Sequence, residues 1–307
     1  MRKPRALVPG DRITIVAPAS PFAHGDFEAG VAELRALGFD PFFEESVFER
    51  RGYVAGSAET RAAAFRRAWA DPESAALVAV RGGFGSVQLL PILDRAPLEG
   101  AAKAFIGYSD NTSLLSWLTL SRGIVTFHGP MLEGRLARGG AGYDRDSFLR
   151  CLREVEPVGE FAVPELETIK AGEASGMLTG GTITQLAGSL GTPYAFAPPE
   201  GSILFLEDVN ERPYRIERLL TQLVYAGIFS RAAGVVFGEM RGCAEPQGEA
   251  TVSAVLAEML ADFRGPVLFG FPSGHTTGPS LTLPFGVRAR VVAASQPKLV
   301  IEEAAVI

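Results

Sequence analysis

In the first half of the chain, short apolar runs alternate with segments whose apolar residues recur every three or four positions. Residues 12–17 (RITIVA) have the pattern of a buried strand that stops at Pro18. Residues 26–37 place Phe27, Val31, Leu34 and Leu37 on one helical face, and Gly38 follows as a stop. FDPFFEE predicts a second, short strand, and residues 58–70 an Ala- and Arg-rich helix. ALVAV (76–80) is apolar throughout and is followed by Arg-Gly-Gly, as expected of a parallel strand covered on both faces. A helix from about Ser86 to Leu93, a strand at 103–108 (KAFIGY) and a helix at 111–121 extend the alternation. This βα order predicts a doubly wound parallel sheet.

The pattern changes further along. Residues 137–146 (ARGGAGYDRD) are rich in turn formers, and 155–175 mix Pro, Gly and acidic residues. The latter stretch is expected to be a linker between an N-terminal α/β domain, 1–154, and a C-terminal domain, 176–307. Beyond it GMLTGG, SILFLE, AAGVVFGEM, LTLPFG and ARVV read as strands, and 213–226 and 250–263 as helices. The second domain is therefore α/β or mainly β.

Composition narrows the function. A chain of 307 residues, 47% hydrophobic and 21% charged, can bury a substantial core and is near the size at which one core splits into two. A net charge of -6, with no Lys/Arg-rich run, argues against a nucleic-acid partner. Cys151 and Cys243 are not spaced as a zinc or disulfide framework and read as free thiols of a reducing compartment. No run approaches the ~20 apolar residues of a membrane helix. The basic N-terminus is interrupted at Pro9 to Arg12, before an apolar stretch of signal-peptide length develops. A cytoplasmic protein is expected.

Three turns then each present one reactive group. FIGYSDNT sets Ser109 between a strand and a helix, a turn that lifts the hydroxyl out of the sheet end and aims helix N–H groups, that of Asp110 first, at a developing oxyanion. It departs from G-x-S-x-G, because Asn111 replaces the second Gly, and Ser, Asp and Asn are also ordinary helix caps. RGGFGS (81–86) offers a backbone oxyanion donor at Gly83, a phosphate cradle, or a plain turn. Glu207 ends the apolar run SILFLE and needs a partner there: a histidine that it orients, or one of Arg212, Arg215 and Arg218. His275 sits in the loop FPSGHTTGP. His24 reads as a surface residue, while His128, in FHGPM, either lines a site or caps a turn. Together Ser109, Glu207 and His275 supply a nucleophile, an orienting carboxylate and a base.

These segments also carry a resemblance. GDRITIVAPASP (10–21), RGGFG (81–85), GYSDNTSLL (107–115), FHGPM (127–131), GMLTGGTITQLAGSLGTPY (176–194), LFLEDVNERPYRIERLLTQL (204–223) and GFPSGHTTGPSLTLPFG (270–286) occur in that order. In this the chain resembles the LD-carboxypeptidase family of serine peptidases, which includes muramoyltetrapeptide carboxypeptidase and the microcin C immunity peptidase. The resemblance implies a flavodoxin-like N-terminal domain, a smaller β-rich C-terminal domain, and an active site at their interface. It implies a triad of Ser109, Glu207 and His275, with oxyanion donors at Asp110 and a glycine of RGGFG. The implied reaction is acyl transfer at the amide before a C-terminal D-amino acid, as in a murein tetrapeptide ending in D-Ala. It requires neither metal nor organic cofactor, and a homodimer is expected. Since the triad would form only with the domains docked, motion between them is expected to act on activity. Arg81, Gly82, His128, Arg212 and Arg215 are candidates for contacting substrate. Thr182 stands where the family often has Asn, a departure expected to affect packing or substrate contact rather than the chemistry. Two other readings remain: a microcin C-type hydrolase with the same triad, and a phosphate-binding module built on RGGFG. The latter lacks an Asp or Lys beside the glycines and leaves Glu207 and His275 without roles.

Overall fold

The chain begins by building a parallel sheet, as its apolar pattern predicts. In the computed structural model, which describes residues 1–245 and 251–307, β1 (Arg12–Val16) is followed by α1 (His24–Ala36), β2 (Asp40–Phe42), α2 (Ala58–Ala70) and β3 (Ser74–Ala79). Then come α3 (Leu90–Leu93), β4 (Ala104–Gly107), α4 (Thr112–Ser116), β5 (Thr126–His128) and α5 (Arg145–Arg153). Every residue of β3 is buried, which is why its pattern is continuous rather than alternating. Helix α2 begins where Ser57 accepts a hydrogen bond from the Thr60 N–H at 3.1 Å. Strands β2, β1, β3, β4 and β5 lie side by side in that order, all parallel. This is the flavodoxin-like order.

Some local readings change. The helix expected at 86–93 is a 3-10 turn, Ser86–Leu89, running into α3. The one expected at 111–121 is composite: a 3-10 turn at Ser109–Asn111, then α4, then a π-turn at Trp117–Ser121. Helix α5 begins at the end of the turn-rich stretch 137–146 and continues through residues for which no element is expected. Its cap is Asp144, which accepts from the Ser147 N–H at 2.7 Å, and Phe148, Cys151 and Leu152 bury its apolar face.

The second half adds β6 (Gly159–Ala162), β7 (Glu167–Lys170), β8 (Gly172–Thr182), α6 (Ile183–Ser189), β9 (Ser202–Glu207), α7 (Pro213–Tyr225) and β10 (Ala232–Gly238). It ends with α8 (Val252–Met259), β11 (Val267–Phe271), β12 (Leu283–Phe285), β13 (Arg288–Ala293) and β14 (Lys298–Ile301). Thr251 caps α8, so the helix expected at 250–263 is shorter at both ends, and position 250 lies outside the described residues. Strands β8, β9, β10 and β11 run parallel at the centre of an eight-stranded sheet ordered β6-β14-β13-β8-β9-β10-β11-β7.

The segment expected as a linker, 155–175, is built into this sheet. Strand β6 pairs with β14 and β7 with β11, so the two form opposite edges, anchored by buried Phe161 and Leu166. Its Pro and Gly residues mark turns between short strands. Traffic also runs the other way: β12, from the far end of the chain, closes the first sheet antiparallel to β5. One hydrophobic cluster therefore spans both sheets, with Ile106 and Phe127 packed together with Phe205, Phe271 and Phe285. A second lies under α6, α7 and α8, around Leu206, Ile216, Leu220 and Phe237.

Candidate active site

The ends of parallel strands supply the chemistry. Strand β4 ends at Gly107, Tyr108 is fully extended (φ -155°, ψ -169°), and Ser109 turns sharply at φ 62°. A non-glycine residue in the left-handed region is strained, and the turn leaves the half-buried Ser109 at the head of the helix. Asn111, which breaks the G-x-S-x-G pattern, holds this turn from below. Its Nδ2 donates to Arg81 O at 3.1 Å and to Tyr108 O at 3.3 Å.

The glycine loop after β3 closes on the same point. A Cβ at Gly82 would lie 2.8 Å from Ser109 Cβ, 2.9 Å from its Oγ and 3.2 Å from Asp110 N, so only glycine allows this approach. Gly83 (φ 98°) is packed against Ser20, whose Oγ accepts from Phe84 N at 3.1 Å. Asp110 ties loop and helix together. Its Oδ2 accepts from Ser86 N at 2.8 Å, and its carbonyl accepts from Ser86 Oγ at 2.5 Å. Burial pushes the Asp110 carboxyl above the usual carboxylate range against these bonds from Ser86. The backbone N–H groups of Gly83 and Asp110 have no acceptor among the described residues.

Glu207, at the end of β9, is 1% exposed and faces His275. Its Oε2 accepts from His275 Nδ1 at 2.7 Å and from His275 N at 3.1 Å, and its Oε1 accepts from Thr182 Oγ1. Burial alone would raise this carboxyl; the charge and hydrogen bond of His275, with the Thr182 hydroxyl, hold it at about 2. An ionised carboxylate can only accept, so His275 Nδ1 carries the proton of this bond, and Nε2 is the ring nitrogen turned away from Glu207. Adjacent Asp208 points the other way, as alternation along a strand requires. Its Oδ2 accepts from Thr184 N and Oγ1 at 2.9 and 2.7 Å, and burial pushes it to about 6.

His275 meets the serine side through Tyr108, whose ring lies edge-on to the imidazole at 5.0 Å. Glu207 and His275 are thus directly bonded, while Ser109 is next in sequence to the residue on which His275 packs. Ser109 Oγ makes no hydrogen bond to His275 in this structure.

Several expectations need correction. Thr182 is not peripheral, because it donates to the carboxylate that holds His275. His128 does not face substrate. It is fully buried, and its Nδ1 lies 2.9 Å from Ser273 Oγ. Ser273 gives its own proton to Leu281 O at 2.8 Å, so His128 Nδ1 is the donor, and its Nε2 is left without a partner. Burial pushes His128 down to about 4. Gly274 (φ 80°) packs against both it and Glu207: a Cβ there would lie 2.8 Å from His128 Cε1 and 2.9 Å from Glu207 Cδ. None of the nearby arginines pairs with Glu207. Arg212 reaches Glu245 at 3.7 Å, Arg215 reaches Glu211 at 3.4 Å, and Arg218 lies over the Tyr214 ring. Arg81 pairs with Glu133 at 3.0 Å, beside Gly82.

Sequence reasoning missed Arg135, whose guanidinium donates to Gly274 O and Thr276 O on either side of His275. Nothing in EGRLARGG distinguishes it from a surface arginine. Among the described residues, no group of three or more His, Cys, Asp or Glu is placed to hold a metal ion. No helix there is long and apolar enough to cross a membrane.

A histidine anchored on a carboxylate, a serine on a strand-turn-helix elbow and a glycine loop packed against that serine are the groups that a hydrolytic site would need. Residues 13–129 match the LD-carboxypeptidase N-terminal domain, and residues 175–291 the LD-carboxypeptidase C-terminal domain. The chain belongs to the LD-carboxypeptidase family and is a carboxypeptidase. It is 32% identical over 301 residues to a Bacillus subtilis protein named "Probable murein peptide carboxypeptidase", covering 97% of this chain and 94% of the relative. The structure of a muramoyltetrapeptide carboxypeptidase from Oxalobacter formigenes is 30% identical, with a TM-score of 0.83 over 94% of this chain and 97% of that one. An active-site mutant of the microcin C7 self-immunity protein is 25% identical, with a TM-score of 0.91 over 100% of both chains.

Proposed function

We propose that the protein is a serine peptidase that removes the C-terminal D-amino acid from murein tetrapeptides through an acyl-enzyme on Ser109. The observation that carries this reading is the pair of hydrogen bonds from the ring and backbone of His275 to Glu207 Oε2, which orients the ring with Nε2 as the nitrogen available to act as base. In this scheme Nε2 takes the Ser109 proton as Oγ attacks the carbonyl carbon before the terminal residue. The Gly83 and Asp110 N–H groups receive the oxyanion. His275 then returns the proton to the leaving amine, and the C–N bond breaks to give a serine ester and D-Ala. Water attacks the ester with His275 accepting its proton; the acyl C–Oγ bond then breaks, His275 passes that proton to Ser109 Oγ, and the shortened peptide leaves as its carboxylic acid. Ser109 and His275 close to bonding distance when substrate is bound, as catalytic hydrogen bonds of empty sites commonly do.

The peptide substrate is supported by the names of the Bacillus and Oxalobacter relatives. Recycled murein peptides and the two buried free thiols suit the cytoplasm. A homodimer, the family expectation, is read by sizing the purified protein in solution. Incubation with muramoyl tetrapeptide should release D-Ala, and Ser109→Ala should lower turnover by at least ~10³-fold. No release by the wild type, or undiminished release by the variant, refutes the proposal. The structural likeness to the self-immunity protein favours one second reading, hydrolysis of an aminoacyl-nucleotide analogue by the same residues. Turnover on the two substrates side by side decides between them.

A further inference from the structure

His275 lies in a loop, 272–282, that contains no helix or strand, yet catalysis by this residue would require its ring to be fixed. We propose that Arg135 is the positioning residue that fixes it, an inference resting on the role of His275 proposed above. Arg135 is 5% exposed and comes from the N-terminal half, between β5 and α5. Its Nη2 donates to Gly274 O at 2.7 Å and Thr276 O at 3.0 Å, and its Nη1 to Gly142 O at 3.1 Å and Gly278 O at 3.0 Å. Three of these four carbonyls belong to the His275 loop.

The geometry of a single peptide explains why this matters. In a trans peptide the carbonyl and the N–H point in opposite directions. The group joining Gly274 to His275 has its oxygen held by Arg135 and its N–H held by Glu207 Oε2. Rotation of that peptide would break both bonds and swing the imidazole off the carboxylate. Gly274, at φ 80°, offers little resistance to such rotation on its own. Among the loop's internal bonds, Thr276 Oγ1 to Gly278 O and Gly274 N to Ser280 Oγ restrain its base, and Thr276 N donates to Gly274 O at 3.1 Å; that last bond ties the plane only to the loop itself, whereas Arg135 and Glu207 tie it to the rest of the protein. No carboxylate pairs with Arg135 among the described residues; its charge is directed at backbone carbonyls, with the Tyr108 ring 6.0 Å away. A planar fork can span several carbonyls at once, whereas a lysine ammonium cannot reproduce that geometry. The contact also fastens the loop to the half of the chain that carries Ser109.

The test uses Arg135→Met and Arg135→Lys in the full chain, with two readouts. The first is kcat and KM on the tetrapeptide. The second, independent of turnover, is the downfield imidazole Nδ1–H resonance expected for the His275–Glu207 bond, assigned with His275→Gln. Both variants should lower kcat by about 10²-fold, the scale of an ångström of misplacement. KM should stay within about threefold and the Nδ1–H resonance should shift or broaden away. Wild-type kcat and an unchanged resonance in folded Arg135→Met overturn the proposal, as does a loss confined to KM. Should Arg135→Met fail to fold, Arg135→Lys decides: it keeps the charge and stem, and a wild-type resonance and kcat there also overturn the proposal. Because the resonance needs no substrate, a failure of the murein assay in the wild type is distinguishable from a failure of this inference.

Discussion

Removing one hydroxyl from beneath the Glu207–His275 pair separates the stability of Glu207 from its proposed chemistry. Among the described residues Thr182 Oγ1 is the only donor to Oε1 of Glu207, while both His275 contacts go to Oε2. Thr182→Val keeps the shape of the side chain but leaves Oε1 buried and unpaired. A hydrogen bond to a charged group contributes about 1.5–3 kcal/mol, so a loss of that size is expected. Since one pKa unit is about 1.4 kcal/mol, the Glu207 carboxyl should rise by about one to two units. Starting from about 2, it remains fully ionised at pH 7 and still holds His275. The expected signature is therefore a lowered unfolding free energy with kcat at pH 7 reduced by no more than about tenfold, because only the second contact of the carboxylate is lost. The acid side carries a second mark. A carboxyl whose folded pKa is depressed stabilises the protein above its ordinary value of 4.5, and this is lost as the pH falls toward 2. In Thr182→Val that loss should shrink. Urea unfolding at pH 7 and at intervals down to pH 3 reads both effects, and Thr182→Ser should restore them. Equal stability of Thr182→Val and wild type, or no recovery with Ser, refutes the reasoning.

Two further predictions use the same neighbourhood. Gly82→Ala places a methyl 2.8 Å from Ser109 Cβ, so kcat should fall by about 10²-fold with an overpacking cost of about 1–3 kcal/mol; wild-type kcat in the folded variant would show that the glycine does not shape the site. His128, held at about 4, contributes stability that is complete above its ordinary value of 6.5 and lost as the pH falls to 4, about 3 kcal/mol in all. Asp208, raised to about 6, works in the opposite sense over the overlapping window, since its folded form gains the proton first. The wild type should accordingly change little between pH 6.5 and 4 through this pair, and the stability gap between it and His128→Gln should narrow by about 3 kcal/mol on acidification. A gap that stays constant from pH 7 to pH 4, measured by chemical denaturation, sinks this account.

What was legible follows from how locally each feature is encoded. Strand β3 and helices α1, α2 and α7 announce themselves by apolar spacing, because each buries one continuous face or run. The turns around Ser109 and Gly82 were readable because a strand end followed by glycine or serine and then a helix has few uses. Helix α5 was missed because its Asp144 cap sits in a Gly- and Arg-rich stretch that resembles a turn. Strands β6 and β7 were missed because four-residue edge strands between prolines have no period to detect. The roles of Thr182 and Arg135 depend on partners 25 and at least 139 positions away among the loop and carboxylate contacts, and no local pattern encodes such pairings. His128 shows the converse: its sequence setting suits a site, and only packing reveals that its ring is fully buried.

The same long-range pairings bear on whether the two halves move. An active site formed by two domains suggests a hinge, with activity gated by docking. The structure argues for a weld instead. Strand β12 leaves the second half to pair with β5, Thr182 N donates to Thr112 Oγ1 at the head of α4, and Arg135 is threaded into the His275 loop. Beneath them one hydrophobic cluster is continuous through both sheets. Opening such an interface would expose Phe127, Phe205 and Phe285, each fully or almost fully buried, and at about 25 cal/mol per Å² three aromatic side chains of 150–250 Å² cost on the order of 10 kcal/mol. That is comparable with the whole stability of a typical domain. Motion that admits substrate must therefore come from loops over the site such as the one carrying Gly83, while the strands leading to Ser109 and Glu207 and the pinned His275 loop stay fixed.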